Sequence, residues 1–277
     1  MRTGVVTIVA GRHDHLARQY DGLRAGLDQP DHHIIVAMGD PDVAAVRGRL
    51  PGATVLTLPA VGIGLPLGAA RNAGAAAALA GGAELLVFLD VDCIPGPGLV
   101  RRYAEAAAQP KHRDHLLSGS VHYLPVPASG GYDLATLADL TDAHSGRPAP
   151  RADEILIEGD HRLFWSLSFA VTAPVWNRIG GFCEDYTGYG GEDTDFAELA
   201  AAAGVGLRWV GGATAYHQYH PVSTPPVEHV DDVLRNGALF HRRWGWWPMR
   251  GWLDAFAERG LIRHDAGTDS WVTIGHS

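Results

Sequence analysis

Two short acidic segments stand out in this 277-residue sequence. The first is Asp90-Val91-Asp92, which directly follows the apolar run Leu85–Leu89. If this tripeptide is extended, Asp90 and Asp92 point to the same side, because side chains alternate along a strand. Two carboxylates that face one point suit Mg²⁺ or Mn²⁺ shared with a phosphate. For an isolated Asp-x-Asp, the simpler alternatives are two solvated loop acids or a cap for the following helix.

The second acidic segment runs from Glu192 to Asp195 and follows a stretch rich in glycine and tyrosine. The helix dipole favours acids in a first turn, which accounts for one or two of them. A carboxylate held at a bend can also accept a proton from the hydroxyl of an acceptor. We regard Asp193 and Glu192 as the candidates for that role, and we expect Asp195 to turn toward Arg208 or solvent.

A histidine pair, His217 and His220, follows a predicted strand behind the second acidic segment. Most of the 15 histidines in the chain are expected to be structural. Next to a metal site built from carboxylates, however, an imidazole is a sensible further ligand. His217 is the first choice because the strand end fixes it, and His220, which precedes Pro221, remains the alternative.

A glycine-rich segment over residues 62–68 leads into a helix that contains Arg71. Its glycines lack the Gly-x-Gly-x-x-Gly spacing directly after the first strand, and the chain has no Gly-Lys-Ser/Thr loop. The absence of these motifs argues against an NAD-binding protein and against a P-loop protein. Arg71 stands where the positive end of the helix would help it to meet a diphosphate. A surface arginine is the alternative.

The elements that position these residues are typical of an α/β fold. Runs of β-branched and apolar residues alternate with helical patterns, which indicates βαβ units and a parallel sheet. The run Leu85–Leu89 reads as a strand buried on both faces, so its acids lie at the carboxyl end, which borders the ligand crevice in such sheets. Later strands are predicted over residues 116–123, 163–171, 207–210 and 213–217, with an irregular stretch over residues 125–150.

Composition restricts the class of protein. Lysine and arginine number 22 against 31 acidic residues, so the net charge of −9 gives no general attraction to nucleic acid. Two cysteines cannot form a disulfide framework, and no apolar run approaches 18 residues. We therefore expect a cytoplasmic protein without a transmembrane segment. The cluster Trp244-Gly-Trp-Trp247 leaves peripheral contact with a membrane surface open.

Seven motifs in a fixed order resemble those of GT-A-fold nucleotide-sugar glycosyltransferases of the family 2 type. The Gly-Gly-Glu-Asp motif is also similar to that of the galactosyltransferase family. In chain order the motifs are Val5-Val-Thr-Ile-Val9, Gly39-Asp40, Ala70-Arg71-Asn72, Phe88-Leu-Asp90-Val-Asp92, Gly180-Gly181-Phe182, Gly190-Gly191-Glu192-Asp193-Thr-Asp195 and His217.

The resemblance implies a GT-A (Rossmann-like) α/β/α sandwich with a central mixed, mostly parallel sheet. It implies a single glycosyltransferase domain over residues 1–277. Residues 1–110 would form the nucleotide-binding half and residues 111–228 the acceptor and metal half, with C-terminal helices over residues 229–277.

The resemblance also assigns roles on the donor side. Asp92 would ligate the divalent cation, Mn²⁺ or Mg²⁺, and His217 would complete the metal site. Asp90 would lie near the ribose or the metal. Arg12 and Arg71 lie where such enzymes hold the nucleotide.

For the reaction, the resemblance implies transfer of a sugar from a nucleotide-diphosphate donor, with UDP favoured. Asp40 matches a position that often contacts the base, and Asp193 matches the acceptor-activating base of inverting relatives, with Glu192 beside it. The acceptor would be a carbohydrate, a small molecule or a lipid-linked group. Inversion is preferred, although retaining relatives with similar acids exist.

Two other classes stay open. A nucleotidyltransferase shares the architecture and the paired metal-binding acids, but the chain lacks its glycine-rich opening with a following lysine. A noncatalytic nucleotide- or sugar-binding relative of these enzymes is the third class. The products distinguish them: a nucleoside diphosphate with a glycoside, pyrophosphate, or binding without turnover.

Overall fold

The structure, a computed structural model, describes residues 1–43, 47–59, 62 and 64–274. The predicted glycine-rich segment of residues 62–68 is therefore described without residue 63. Within the described residues, the centre of the fold is a nine-stranded mixed sheet.

The amino-terminal half of the sheet is parallel. Its strands are β1 (Thr3–Val9), β2 (His32–Met38), β3 (Ala53–Leu58) and β4 (Leu85–Leu89), and the order across the sheet is β3-β2-β1-β4. Helix α1 (His13–Ala25) follows β1, and helix α2 (Leu67–Ala80) precedes β4. Small residues let α2 approach the sheet closely, since a Cβ added at Gly74 would lie 2.4 Å from Val6 Cγ1. These four strands match the predicted βαβ pattern.

The carboxyl half of the sheet combines both strand directions. Its strands are β5 (Cys93–Pro95), β6 (Leu116–Tyr123), β7 (Ile155–Gly159), β8 (Ser168–Thr172) and β9 (Leu207–His217). Strand β8 is antiparallel to β4 and β6, whereas β9 is parallel to β6 and antiparallel to β5 and β7. The helices of this half are α3 (Leu99–Ala108), α4 (Ala173–Ile179) and α5 (Glu192–Ala202).

Helices cover both faces of the sheet. On one face, Phe88, Phe169 and Phe196 form part of a large buried cluster beneath α2 and α5. On the other face, Leu117 and Tyr103 belong to a second buried cluster that contains α3. The predicted α/β/α sandwich with a central mixed sheet is therefore confirmed.

The chain ends in a C-terminal unit of helix α6 (Val230–Trp244), helix α7 (Arg250–Glu258) and a hairpin of β10 (Ile262–Asp265) and β11 (Ser270–Thr273). No helix among the described residues is long and apolar enough to cross a membrane.

Two predicted details of secondary structure are wrong, and two further features were not predicted. The strand predicted to begin at Leu163 begins at Ser168, because His161–Leu163 form a 3₁₀ turn in which Asp160 accepts a hydrogen bond from the Arg162 N–H. The two short strands predicted over residues 207–217 are the single strand β9. Strand β7 and the terminal hairpin were not predicted.

The segment between β6 and β7, residues 124–154, is irregular as predicted, and we call it the excursion. It contains one 3₁₀ turn, Leu137–Asp139. Tyr132, Leu134 and Leu137 pack with Ile94 and Tyr216 of the sheet. The excursion therefore lies against the strands that lead to His217.

Candidate active site

The Asp90–Asp92 segment is a turn. Strand β4 ends at Leu89, and the N–H of Cys93 donates to the carbonyl of Asp90 at 2.8 Å. The extended conformation considered for this tripeptide is therefore wrong, since the chain must bend to enter β5. The two carboxylates take different partners: Asp90 meets Arg71, whereas Asp92 meets two histidines.

The second carboxylate forms a three-residue cluster that could hold a metal ion. His217 Nε2 and His220 Nε2 lie 3.4 and 3.6 Å from Asp92 Oδ2. One ligand atom from each of the three residues lies within 4.8 Å of the others. Antiparallel pairing places Cys93 opposite His217, so the turn and the end of β9 meet. The structure thus brings both histidines to Asp92, including the one that was only the alternative.

Hydrogen bonds fix the segment that carries the two histidines. The N–H of Gln218 donates to the Asp92 carbonyl at 2.7 Å, and its side chain donates to the His15 carbonyl at 3.0 Å. The N–H of Tyr219 donates to the hydroxyl of Tyr132, which belongs to the excursion. Helix α1, the Asp92 turn and the excursion therefore all position the histidines.

Arg12 brings a cation to the same carboxylate. It precedes α1 with a left-handed backbone (φ 52°), and its guanidinium contacts Asp92 Oδ2. Burial alone would raise the pKa of Asp92, but hydrogen bonds from His217 and His220 and the charge of Arg12 hold that pKa well below its usual range. Asp92 is therefore an anion ready to ligate a cation.

Arg71 is an internal bridge and not a surface residue. Its side chain is buried, and its Nη2 donates to Asp90 Oδ1 at 3.0 Å while Nη1 donates to Glu192 Oε1 at 3.1 Å. Burial disfavours the charged guanidinium, but Asp90 and Glu192 outweigh that effect and raise the pKa of Arg71. The predicted nucleotide-binding arginine thus joins the two acidic segments, which are far apart in sequence.

The second acidic segment begins α5 after Gly190 and Gly191, which have φ of 87° and 93°. Such angles favour glycine, so these residues let the chain turn sharply into the helix. Burial, helped by the charge of Asp193, raises the pKa of Glu192 to about 7, although Arg71 opposes the shift. Burial also raises the pKa of Asp193, against the charge of Arg71 and hydrogen bonds from Thr194. Asp193 is partly exposed.

Asp195 has a structural role. It is fully buried and accepts hydrogen bonds from Tyr186 Oη at 3.1 Å, Arg243 Nε at 2.6 Å and Trp244 Nε1 at 2.7 Å. The expected turn toward Arg208 or solvent is therefore wrong, because the C-terminal unit supplies its partners.

Asp40 lies at the end of β2 beside the turn that carries Arg12. Its Oδ2 accepts a hydrogen bond from the Gly11 N–H at 2.7 Å and lies 2.9 Å from His13 Nε2. Burial would raise the pKa of Asp40, but His13 and the Gly11 N–H hold it below its usual range. Asp40 thus fixes the Gly11–His13 turn.

Two aromatic groups near the site were not predicted. Tyr123 stacks on His217 with ring centroids 4.6 Å apart. Tyr189 stacks on His229 at 4.5 Å and on Trp252 at 5.5 Å, directly before the glycines that lead to Glu192. The tyrosines before Gly190 could be noticed in the sequence because they precede the second acidic segment. Tyr123 could not, because it reaches the site only through the pairing of β6 with β9.

Part of the chain that carries this site is similar to a known protein family. A family described as the N-terminal domain of galactosyltransferase matches residues 153–221, which contain Glu192, Asp193, His217 and His220. Validoxylamine A glucosyltransferase of Streptomyces hygroscopicus subsp. jinggangensis is 29% identical over 160 residues. That match covers 52% of this chain and 37% of the relative, so this chain spans little more than a third of the relative's length.

Two solved structures share the fold. Residues 1–349 of S. aureus TarS superpose with a TM-score of 0.56 at 15% identity, over 86% of this chain and 65% of that one. GalNAc-T7, solved with UDP, GalNAc and Mn²⁺, gives a TM-score of 0.58 at 13% identity, over 95% and 60%. At these identities the likeness concerns the fold alone. The fold is therefore that of the GT-A proteins, and the matched family segment and the relatives are similar in the way that the motifs indicate, to nucleotide-sugar glycosyltransferases.

Proposed function

We propose that the protein transfers a sugar from a UDP-linked donor to an acceptor hydroxyl, with a divalent metal at Asp92 and with inversion at the sugar. The acceptor is a carbohydrate, a small molecule or a lipid-linked group. One observation supports this proposal most strongly. The ligand atoms of Asp92, His217 and His220 lie together, and the bridge of Asp90, Arg71 and Glu192 lies at the same end of the sheet.

The ligand set fits a divalent ion. Asp92 offers a carboxylate oxygen, and His217 and His220 offer imidazole nitrogens, within bonding reach of one centre. Mg²⁺ prefers oxygen ligands, whereas imidazole nitrogens suit transition metals. Two imidazoles beside one carboxylate therefore favour Mn²⁺ over Mg²⁺. When bound, such an ion neutralises the charge of the departing diphosphate as a Lewis acid.

Cationic and acidic side chains of the amino half would hold the nucleotide. Arg12 is two-fifths exposed, so its guanidinium can turn from Asp92 to a diphosphate. We assign Asp40 to a contact with the base and Asp90 to a contact with the ribose. Both terminal nitrogens of Arg71 donate to acids, so we assign it the orientation of Asp90 and Glu192 in place of direct nucleotide binding.

Asp193 is the proposed general base. It is partly exposed at the start of α5, and Thr194 orients the carboxylate by donating from its N–H to Oδ1 at 2.7 Å. The neighbouring Glu192 is buried, and its bond to Arg71 fixes its side chain. We assign it a contact with the substrate from this fixed position. In this arrangement Asp193 removes the proton from the acceptor hydroxyl as the sugar is transferred.

Product analysis tests this function against the other two classes. The protein would be incubated with UDP-hexoses, Mn²⁺ and a panel of acceptors, and the nucleotide products would be separated. Release of UDP together with a new glycoside is expected. A parallel incubation with UTP and hexose 1-phosphates tests the second class, since a nucleotidyltransferase would release pyrophosphate there, and binding without turnover in both incubations would indicate a noncatalytic relative.

A further inference from the structure

A buried arginine of the excursion has no acidic partner. Arg147 is 9% exposed, and its Nη2 donates to Ser118 Oγ at 2.9 Å. Its Nε and Nη1 are buried without an acceptor. In the part of the chain that the structure describes, no carboxylate lies within 4.0 Å of this guanidinium, whereas Arg12, Arg71 and Arg243 each meet one.

Two indole rings enclose the guanidinium. Its carbon lies 4.7 Å from the ring centroid of Trp165 and 5.0 Å from that of Trp209. Cation–π contacts of this kind offset part of the burial cost, but burial still lowers the pKa of Arg147 to about 10. An apolar side chain would fill the same space without that cost. A permanent positive charge here therefore calls for a ligand that uses it.

Arg147 lies among the residues of the proposed site. Trp165, which lies against the guanidinium, contacts the ring of His144 at 5.1 Å, and His144 contacts the ring of Tyr123 at 5.4 Å. Tyr123 in turn stacks on His217 at 4.6 Å. Asp193 is not its ion-pair partner, since its Oδ1 accepts from Thr194 and Arg71 is the cation that affects it most. A series of ring contacts thus connects the Arg147 position to His217 of the proposed metal site.

We propose that Arg147 binds an anionic oxygen group, a carboxylate or a phosphate, carried by one of the two sugars that meet in this site. The inference rests on the proposed function and names a substrate class for it: a sugar acid or a sugar phosphate. A guanidinium prefers such groups because each N–H can donate a charge-assisted hydrogen bond. The group belongs either to the donor sugar or to the acceptor, and the test separates these sources.

Calorimetry on the full chain tests the proposal in two arms. In the donor arm, UDP-glucuronate is compared with UDP-glucose in the presence of Mn²⁺. In the acceptor arm, glucuronate and glucose 6-phosphate are compared with glucose, with and without UDP and Mn²⁺. The variants are Arg147→Met and Arg147→Gln, since glutamine keeps a donor for Ser118 Oγ. Arg151→Gln, in an exposed position of the excursion, is the matched control.

The proposal expects a preference for the anionic ligand of about tenfold or more in one arm, and its loss in both Arg147 variants but not in the control. It is overturned if the unsubstituted protein shows no preference in either arm, or if the preference survives in a folded variant. If Arg147→Met does not fold, the preference of the unsubstituted protein and that of Arg147→Gln still decide whether the proposal holds. Absence of UDP binding with Mn²⁺ would instead reject the proposed function, and the sugars titrated without UDP would still report on Arg147.

Discussion

At the scale of single residues, the two acids that begin α5 have different environments. Asp193 is partly exposed and held by Thr194, whereas Glu192 is buried and paired with Arg71. This separation suits a division of roles, with Asp193 as the base and Glu192 as a contact for substrate. We make one prediction for each of these two acids.

Replacing Asp193 by asparagine should abolish proton transfer without changing the shape of the site. We expect Asp193→Asn to lower kcat by about 10²- to 10⁴-fold, because an amide cannot act as the base, while donor affinity is retained. The rate of UDP release and a UDP titration measure the two effects. Glu198→Gln, on the same helix, is the control. Unchanged turnover in Asp193→Asn would remove Asp193 from the mechanism.

Glu192 should make stability depend on pH. Its pKa is raised from 4.5 to about 7, so the folded state binds more protons than the unfolded state between these values. Stability from this residue is therefore greatest below pH 4.5 and declines as pH rises through 7, by about 3 kcal/mol for a shift of this size. Urea midpoints at pH 5 and pH 8 should differ less in Glu192→Gln than in the unsubstituted protein. Equal differences in both proteins would contradict the assigned environment.

At the scale of elements, the proposed metal site is made where two strands pair. Strand β5 follows the Asp92 turn, and its antiparallel partner β9 ends at His217. Neither strand could hold the ion alone, because Asp92 and the histidines are separated by more than a hundred residues.

Removing either histidine should weaken metal binding. We expect His217→Ala and His220→Ala each to reduce Mn²⁺ affinity by more than about tenfold, with a larger loss in Asp92→Asn. Calorimetry with Mn²⁺ alone gives these affinities, and His264→Ala on the terminal hairpin should match the unsubstituted protein. If His220→Ala binds Mn²⁺ normally, the site has only two protein ligands.

The junction of β6 and β9 should be intolerant of a side chain. The register shifts after Gly119, and a Cβ at this residue would lie 1.8 Å from the Ala213 carbonyl oxygen. Gly119→Ala should therefore lower the free energy of unfolding by about 3 kcal/mol. Gly130→Ala, where nothing lies within 4 Å, should stay within about 0.5 kcal/mol of the original. Equal unfolding midpoints for the two variants would contradict this account of the junction.

Sequence reasoning succeeded where a pattern is local. The β-branched and apolar runs of β1, β2 and β4 predict buried strands, and the glycines before Glu192 predict a bend. It failed where tertiary contacts decide: β7 forms because β9 offers it an edge, and the Asp90–Asp92 turn forms because the chain must reach β5. Arg147 carried no signal, since its two tryptophans come from distant segments.

At the scale of the whole molecule, the site joins segments from all parts of the chain. The amino half supplies Arg12, Arg71 and Asp92, and the carboxyl half supplies Glu192 and His217. The C-terminal unit holds α5 in position, because Arg243 and Trp244 donate hydrogen bonds to the Asp195 carboxylate on that helix. The fold thus joins residues of the amino and carboxyl halves of the chain through a few buried charges.

The proposed donor site binds a nucleoside diphosphate together with a metal at Asp92, and one calorimetric experiment measures this binding. UDP, GDP and dTDP would each be titrated into the purified protein with Mn²⁺ and again with EDTA. We predict that UDP binds in the presence of Mn²⁺ and that chelation abolishes this binding. If none of the three binds, or if UDP binds equally well with EDTA, the metal-dependent donor site at Asp92 is contradicted.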